Sequence, residues 1–125
     1  MNQKKSILII DDDSRNIFAL SAVLRSRGYE CKSATNAGDG MKILSDDSTV
    51  GVVLLDMMMP EMDGYETMEQ IRGSAHFGQI PVIAVTARAM TGDREKCLEA
   101  GTNEYISKPV DVDTLVHYLE RYLKN

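Results

Sequence analysis

The run Val50-Gly51-Val52-Val53-Leu54-Leu55 ends in a carboxylate, Asp56, and this junction limits the possible folds more than any other stretch of the chain. A continuous apolar, β-branched run of this length fits a strand buried on both faces, as in the interior of a parallel sheet. A carboxylate at the C-terminal end of such a strand faces the crevice where open α/β sheets bind ligands. Pro60 cannot extend a ladder and Asp63-Gly64 suits a helix start, so a short loop must intervene. Asp56 is therefore carried by a rigid strand and presented at a loop, which suits chemistry better than packing.

Other short runs repeat the theme. Ser6–Ile10 is apolar and also ends in carboxylates, Asp11, Asp12 and Asp13, of which Asp13, or Ser14 after it, can cap a helix. That helix carries Ile17, Leu20, Val23 and Leu24 at helical spacing and ends at Gly28, a good left-handed terminator. Residues 29–34 alternate with one polar side, as an edge strand does. Asn36 opens a second helix with Met41, Ile43 and Leu44, although Gly38 and Gly40 lower its propensity. Asp63 with Glu66 forms a capping-box pattern for a third helix running through Met68 and Ile71 to about Gly73. Residues 81–86 form a buried strand with its proline at the permitted first position. A fourth helix begins near Thr91 and ends at Gly101, with only Cys97, Leu98 and Ala100 turned inward, which leaves its exposed face for a second use. Glu104–Ser107 is a short last strand followed by Lys108-Pro109. Asp111 caps a final helix with Val112, Leu115, Val116, Leu119, Tyr122 and Leu123 inward.

This alternation specifies an α/β fold, a doubly wound five-stranded parallel sheet with five helices on two faces. Right-handed crossovers give the strand order 2-1-3-4-5, the flavodoxin-like arrangement. At 125 residues the chain is expected to form one domain, 1–125, with no output domain attached. The net charge of −5 argues against a nucleic-acid surface, and no run is long enough to span a bilayer. Cys31 and Cys97 are isolated and read as small hydrophobes. With no signal peptide, these features point to the cytoplasm.

In that strand order the first and third strands are neighbours, so Asp11, Asp12 and Asp56 converge. Like charges about 4 Å apart repel by roughly 4 kcal/mol at an effective dielectric near 20, so such a cluster calls for a cation. Oxygen-only donors and room for water favour Mg²⁺. Thr86 and Lys108 arrive at the same edge from the last two strands. A cation, an ammonium and a hydroxyl around one carboxylate would bind a phosphoryl group carried on it, with Asp56 as nucleophile. Taken singly, each piece has a plainer explanation: a capped loop for the acid run, a strand end for Thr86, a surface charge for Lys108, gap-filling for Met57-Met58-Met59. Together they place every polar oddity at the same end of a different strand.

The set Asp11-Asp12, Leu55-Asp56-Met57-Met58-Met59-Pro60, Met62-Asp63-Gly64, Thr86-Ala87 and Lys108-Pro109 resembles the receiver domain of two-component response regulators, over essentially the whole chain. The resemblance implies Asp56 as phosphoacceptor, served by a histidine kinase or a histidine phosphotransfer protein. It implies Mg²⁺ held by Asp12, Asp56 and the main-chain carbonyl of Met58, with Asp11 acting through water. It implies Thr86 and Tyr105 as a switch pair, and Lys108 contacting the phosphoryl group across a cis bond to Pro109. Switching in this family works through the face of the fourth helix, fifth strand and fifth helix, for a downstream partner. Asn16 and the methionine-rich loop are more like receivers of hybrid kinases and phosphorelays than the chemotaxis type. The positions best placed to hold or block a hydrolytic water are Met58 and Arg88, neither of which can accept its proton, so they bear on phosphoryl lifetime. Such a protein catalyses its own phosphorylation and dephosphorylation and is not a multiple-turnover enzyme.

Three other readings compete. A flavin or nucleotide module lacks its glycine-rich loop after the first strand, where three aspartates would repel phosphate. A haloacid-dehalogenase-type phosphatase needs a second acid two residues beyond its nucleophile, where this chain has Met58. A pseudo-receiver that binds without taking phosphate would not be expected to keep the whole set.

Overall fold

The computed structural model describes residues 5–58, 64–87 and 92–123. Its elements alternate without exception: β1 (Ser6–Ile10), α1 (Ser14–Ser26), β2 (Glu30–Ala34), α2 (Ala37–Asp46), β3 (Val50–Asp56), α3 (Gly64–Arg72), β4 (Val82–Thr86), α4 (Asp93–Glu99), β5 (Glu104–Ser107) and α5 (Val112–Leu123). All pairings are parallel and the sheet order is β2-β1-β3-β4-β5, so the doubly wound arrangement expected from the sequence is the one formed. Among the described residues no helix is long and apolar enough to cross a membrane.

The period-two alternation of buried strands divides the core into two layers. Leu8, Ile10, Val53, Leu55, Val82 and Ala84 face one way, onto Leu44 of α2, Met68 and Ile71 of α3 and Cys97 of α4. Ile7, Ile9, Val52, Leu54, Ile83 and Val85 face the other, onto Ile17, Leu20 and Leu24 of α1 and Leu115 and Leu119 of α5. Replacing any of the fully buried leucines by alanine would cost about 2–5 kcal/mol.

Several local details differ from the pattern in the sequence. The β1–β3 register shifts between Ser6 and Ile7, which pair with Val50 and Val52, so Gly51 is an extra residue. A Cβ on Gly51 would lie 2.6 Å from Leu123 of α5 and 2.8 Å from Lys5, so a side chain there would force both side chains to shift. β4 begins at Val82 and not at Pro81, whose carbonyl nevertheless accepts from Val53 N–H at 2.9 Å. In α4 only Cys97 is buried, while Leu98 and Ala100 are half-buried. Met41 and Ile43 are likewise half-buried and pack at the edge of the core, while the buried residues of α2 are Ala37, Gly40 and Leu44. The capping residue Asp63 and the expected helix start at Thr91 lie outside the described residues.

Candidate functional site

Register brings the acids together. Ile10 pairs with Leu55, so the next residues on these neighbouring strands, Asp11 and Asp56, emerge side by side. Carboxylate oxygens of Asp11, Asp12 and Asp56 all lie within 4.8 Å of one another. Asp11 and Asp56 are buried, 3% and 5% exposed, whereas Asp12 faces solvent.

Lys108 bridges the buried pair. It follows β5, where its backbone N–H donates to the Thr86 carbonyl at 2.8 Å, and its Nζ lies 3.2 Å from Asp11 Oδ2 and 3.4 Å from Asp56 Oδ2. The peptide between Lys108 and Pro109 is cis. Thr86 is buried at the end of β4, one residue beyond Val85, the partner of Asp56. Tyr105 is half-buried on β5 opposite Ala84, two residues short of that rim. The backbone N–H of Met58 donates to Asp56 Oδ1 at 2.9 Å, while the Met58 side chain is exposed at the mouth. Arg88 lies outside the described residues.

The electrostatics follow from burial. Loss of water pushes the Asp56 carboxyl above its ordinary range, the Met58 N–H and the Lys108 ammonium oppose that rise, and Asp11 adds to it. Burial pulls the Lys108 ammonium down, but Asp56 and Asp11 outweigh it and hold the group above its usual value. Three carboxylates against one ammonium leave two negative charges uncompensated at the cluster when all are ionised. That deficit and the oxygen-only donor set match a hard divalent cation.

Three contacts were not foreseen from the chain. Asn16 Nδ2 donates to Asp11 Oδ2 at 2.6 Å, tying α1 to the cluster. Arg72 donates to the carbonyls of Gly78, Ile80 and Gly101 and to Asn103 Oδ1, pinning α3 to the opposite end of the sheet. Glu104 Oε2 accepts from Tyr122 at 2.6 Å and Arg121 at 3.0 Å. Only Asn16 carried a signal, its position in the first turn of α1. A cavity of about 740 Å³, lined in part by Leu44, Arg72, His76 and Phe77, also lies at that far end, away from the carboxylates.

A doubly wound sheet with an acid cluster and a lysine at its C-terminal rim defines a class. The family model for the response regulator receiver domain matches residues 7–120, and the chain belongs to that family. It is 39% identical to the sensor histidine kinase RcsC of Escherichia coli K12 over 128 residues, which is 99% of this chain but 13% of that protein. The chain thus spans about an eighth of the length of that kinase. It is 32% identical, with a TM-score of 0.85, to the receiver domain of sensor histidine kinase PA1611 from Pseudomonas aeruginosa PAO1, over 98% of this chain and 100% of that one. That structure holds a magnesium ion coordinated in its active site cleft. The receiver of Saccharomyces cerevisiae Ssk1, crystallised with the histidine phosphotransfer protein Ypd1, is 27% identical with a TM-score of 0.83, over 98% of this chain and 91% of that one.

Proposed function

We propose that Asp56 is the phosphoacceptor of this receiver and takes its phosphoryl group from the phosphohistidine of a kinase or phosphotransfer protein. The observation that carries this reading is the buried Asp56 carboxylate at the end of β3, with Lys108 bridging it to Asp11. Asp56 Oδ2 attacks phosphorus, the phosphorus–nitrogen bond breaks, and the donor imidazole keeps the electron pair and is protonated. Lys108, already at that oxygen, is placed to pair with the incoming phosphoryl oxygens. Met58 N–H holds the other Asp56 oxygen and fixes the attacking orientation. Thr86 is the hydroxyl placed to read the new charge, and with Tyr105 it would relay the change to the face of α4, β5 and α5 for a downstream partner.

The donor set fits Mg²⁺, with Asp12 and Asp56 as direct ligands beside the Met58 main-chain carbonyl and Asp11 acting through water. When bound, the ion would neutralise the cluster and the phosphoryl oxygens. Met58 offers the phosphoryl group no acceptor for a hydrolytic water, and this side chain, with Arg88, is assigned a role in its lifetime. The whole chain, 1–125, acts as one cytoplasmic receiver that modifies itself and does not turn over a substrate. Incubation with acetyl phosphate and Mg²⁺ should add a single phosphoryl group by intact-mass spectrometry, and Asp56→Asn should abolish it. Undiminished phosphate on the variant would assign the acceptor elsewhere.

A further inference from the structure

Asp11, Asp12 and Asp13 are consecutive, yet they do three different things. Asp13 caps α1, its Oδ1 accepting from the backbone of Arg15 at 3.0 Å and Asn16 at 3.4 Å, and the first of these bonds holds its carboxyl below the ordinary range. Asp12 faces solvent, and among the described residues nothing donates to its side chain. Asp11 is buried and receives three donors. Asp13 N–H reaches Oδ1 at 2.9 Å, and Asn16 Nδ2 and Lys108 Nζ reach Oδ2 at 2.6 and 3.2 Å. A carboxylate has about four acceptor sites, so Asp11 has little left to offer a cation directly.

We infer that Asn16 is a positioning residue of the metal site. Its amide is the shortest of the three bonds to Asp11 and the only uncharged side chain among the donors. By holding Oδ2 it fixes the rotation of the Asp11 carboxylate so that Lys108 stays shared between Asp11 and Asp56. Direct ligation is thereby left to Asp12 and Asp56. A neutral donor suits this place, because it satisfies a buried acceptor without cancelling the negative charge that draws the cation. A lysine or arginine here would compete with the ion, and an aspartate would add a fourth like charge. Asn16 is itself fixed from below, since its own backbone N–H is bonded to the Asp13 cap. Without the amide, Asp11 Oδ2 would turn toward Lys108 and draw the ammonium from Asp56, changing the charge that the cation meets.

The assignment rests on the Mg²⁺ reading above, and Mg²⁺ itself is the probe. Binding is measured by calorimetric titration of the full chain at fixed ionic strength, with metal-free thermal melts in parallel. Asn16→Ala should weaken Mg²⁺ binding by about tenfold, the lower end of what loss of an outer-shell partner costs. A purely structural Asn16–Asp11 tie would lower the metal-free melting temperature and leave the affinity alone. An affinity within about twofold of the parent, well short of that outer-shell range, would therefore overturn the assignment. Should Asn16→Ala not fold, Asn16→Ser carries the same expectation, because its hydroxyl is polar but too short to reach Oδ2. If the parent fails to bind Mg²⁺, the metal reading falls and the assignment falls with it. If the parent binds and the variants bind equally well, only the role of Asn16 is lost.

Discussion

Asp56 is held in a place where its charge is costly. Burial raises its carboxyl above the reference value of 3.8, Met58 N–H and Lys108 offset part of that rise, and Asp11 adds to it. A carboxyl raised in the fold favours folding when protonated, and that contribution is fully present below the unfolded value and lost as pH climbs through the folded one. At neutral pH the metal-free protein therefore carries a penalty at this residue. Asp56→Asn should melt higher than the parent in the absence of divalent cations. The gap between the two proteins should narrow as pH falls through the folded value and should shrink when Mg²⁺ is added. A variant that melts lower at neutral pH would show that the Lys108 pairing outweighs burial. The acids, Thr86 and Lys108 were legible in the sequence because each ends an apolar run, and strand ends share a rim. Arg72 and Glu104 were not, because their partners at Gly101, Asn103 and Tyr122 are set by packing between elements and leave no local pattern.

Gly38 and Gly40 both lie in α2, two residues apart, and no local pattern distinguishes them. A Cβ on Gly38 would meet only Asn36 Oδ1 at 3.4 Å, whereas one on Gly40 would lie 2.5 and 2.9 Å from atoms of the fully buried Ile10. Gly38→Ala should therefore stabilise by about 0.5 kcal/mol through chain entropy. Gly40→Ala should destabilise by about 1–3 kcal/mol, because Ile10 has no free space into which to move. Urea melts of the two variants against the parent test the pair, and equal effects would mean that α2 is not seated on β1 as described. The buried strands were readable as apolar runs, and the edge strand at residues 29–34 from its alternation. The helices were readable as elements but not in every inward residue, since α2 also seats Ala37 and Gly40 and only Cys97 of α4 is fully buried. The extra residue at Gly51 was hidden too, because a glycine inside an apolar run looks the same with or without a register shift.

At the scale of the molecule, burial of weak acids on both faces of the sheet limits stability at high pH. Burial raises the thiols of Cys31 and Cys97 above 9.0 and the phenols of Tyr29, Tyr105 and Tyr122 above 10.0. The unfolded chain then gives up these protons first, so their contribution is complete below pH 9.0 and declines as pH rises through the folded values. Thermal melts in an alkaline series should fall from that point on, and Cys97→Ala should make the fall shallower while Cys31 still sets its onset. The opposite end of the charge problem is the acid cluster, where three carboxylates face one ammonium. A cation that binds only the folded state stabilises it by about 2.7 kcal/mol at 100 times its dissociation constant. Mg²⁺ should thus raise the melting temperature of the parent in proportion to the logarithm of its concentration, once above that constant. Asp12 is the solvent-facing member of the cluster, so Asp12→Ala removes a proposed ligand without opening a cavity and should leave the metal-free melt nearly unchanged while flattening the Mg²⁺ response. An undiminished Mg²⁺-dependent rise in Asp12→Ala would exclude Asp12 as a ligand and leave the cation to Asp56 and the Met58 main-chain carbonyl.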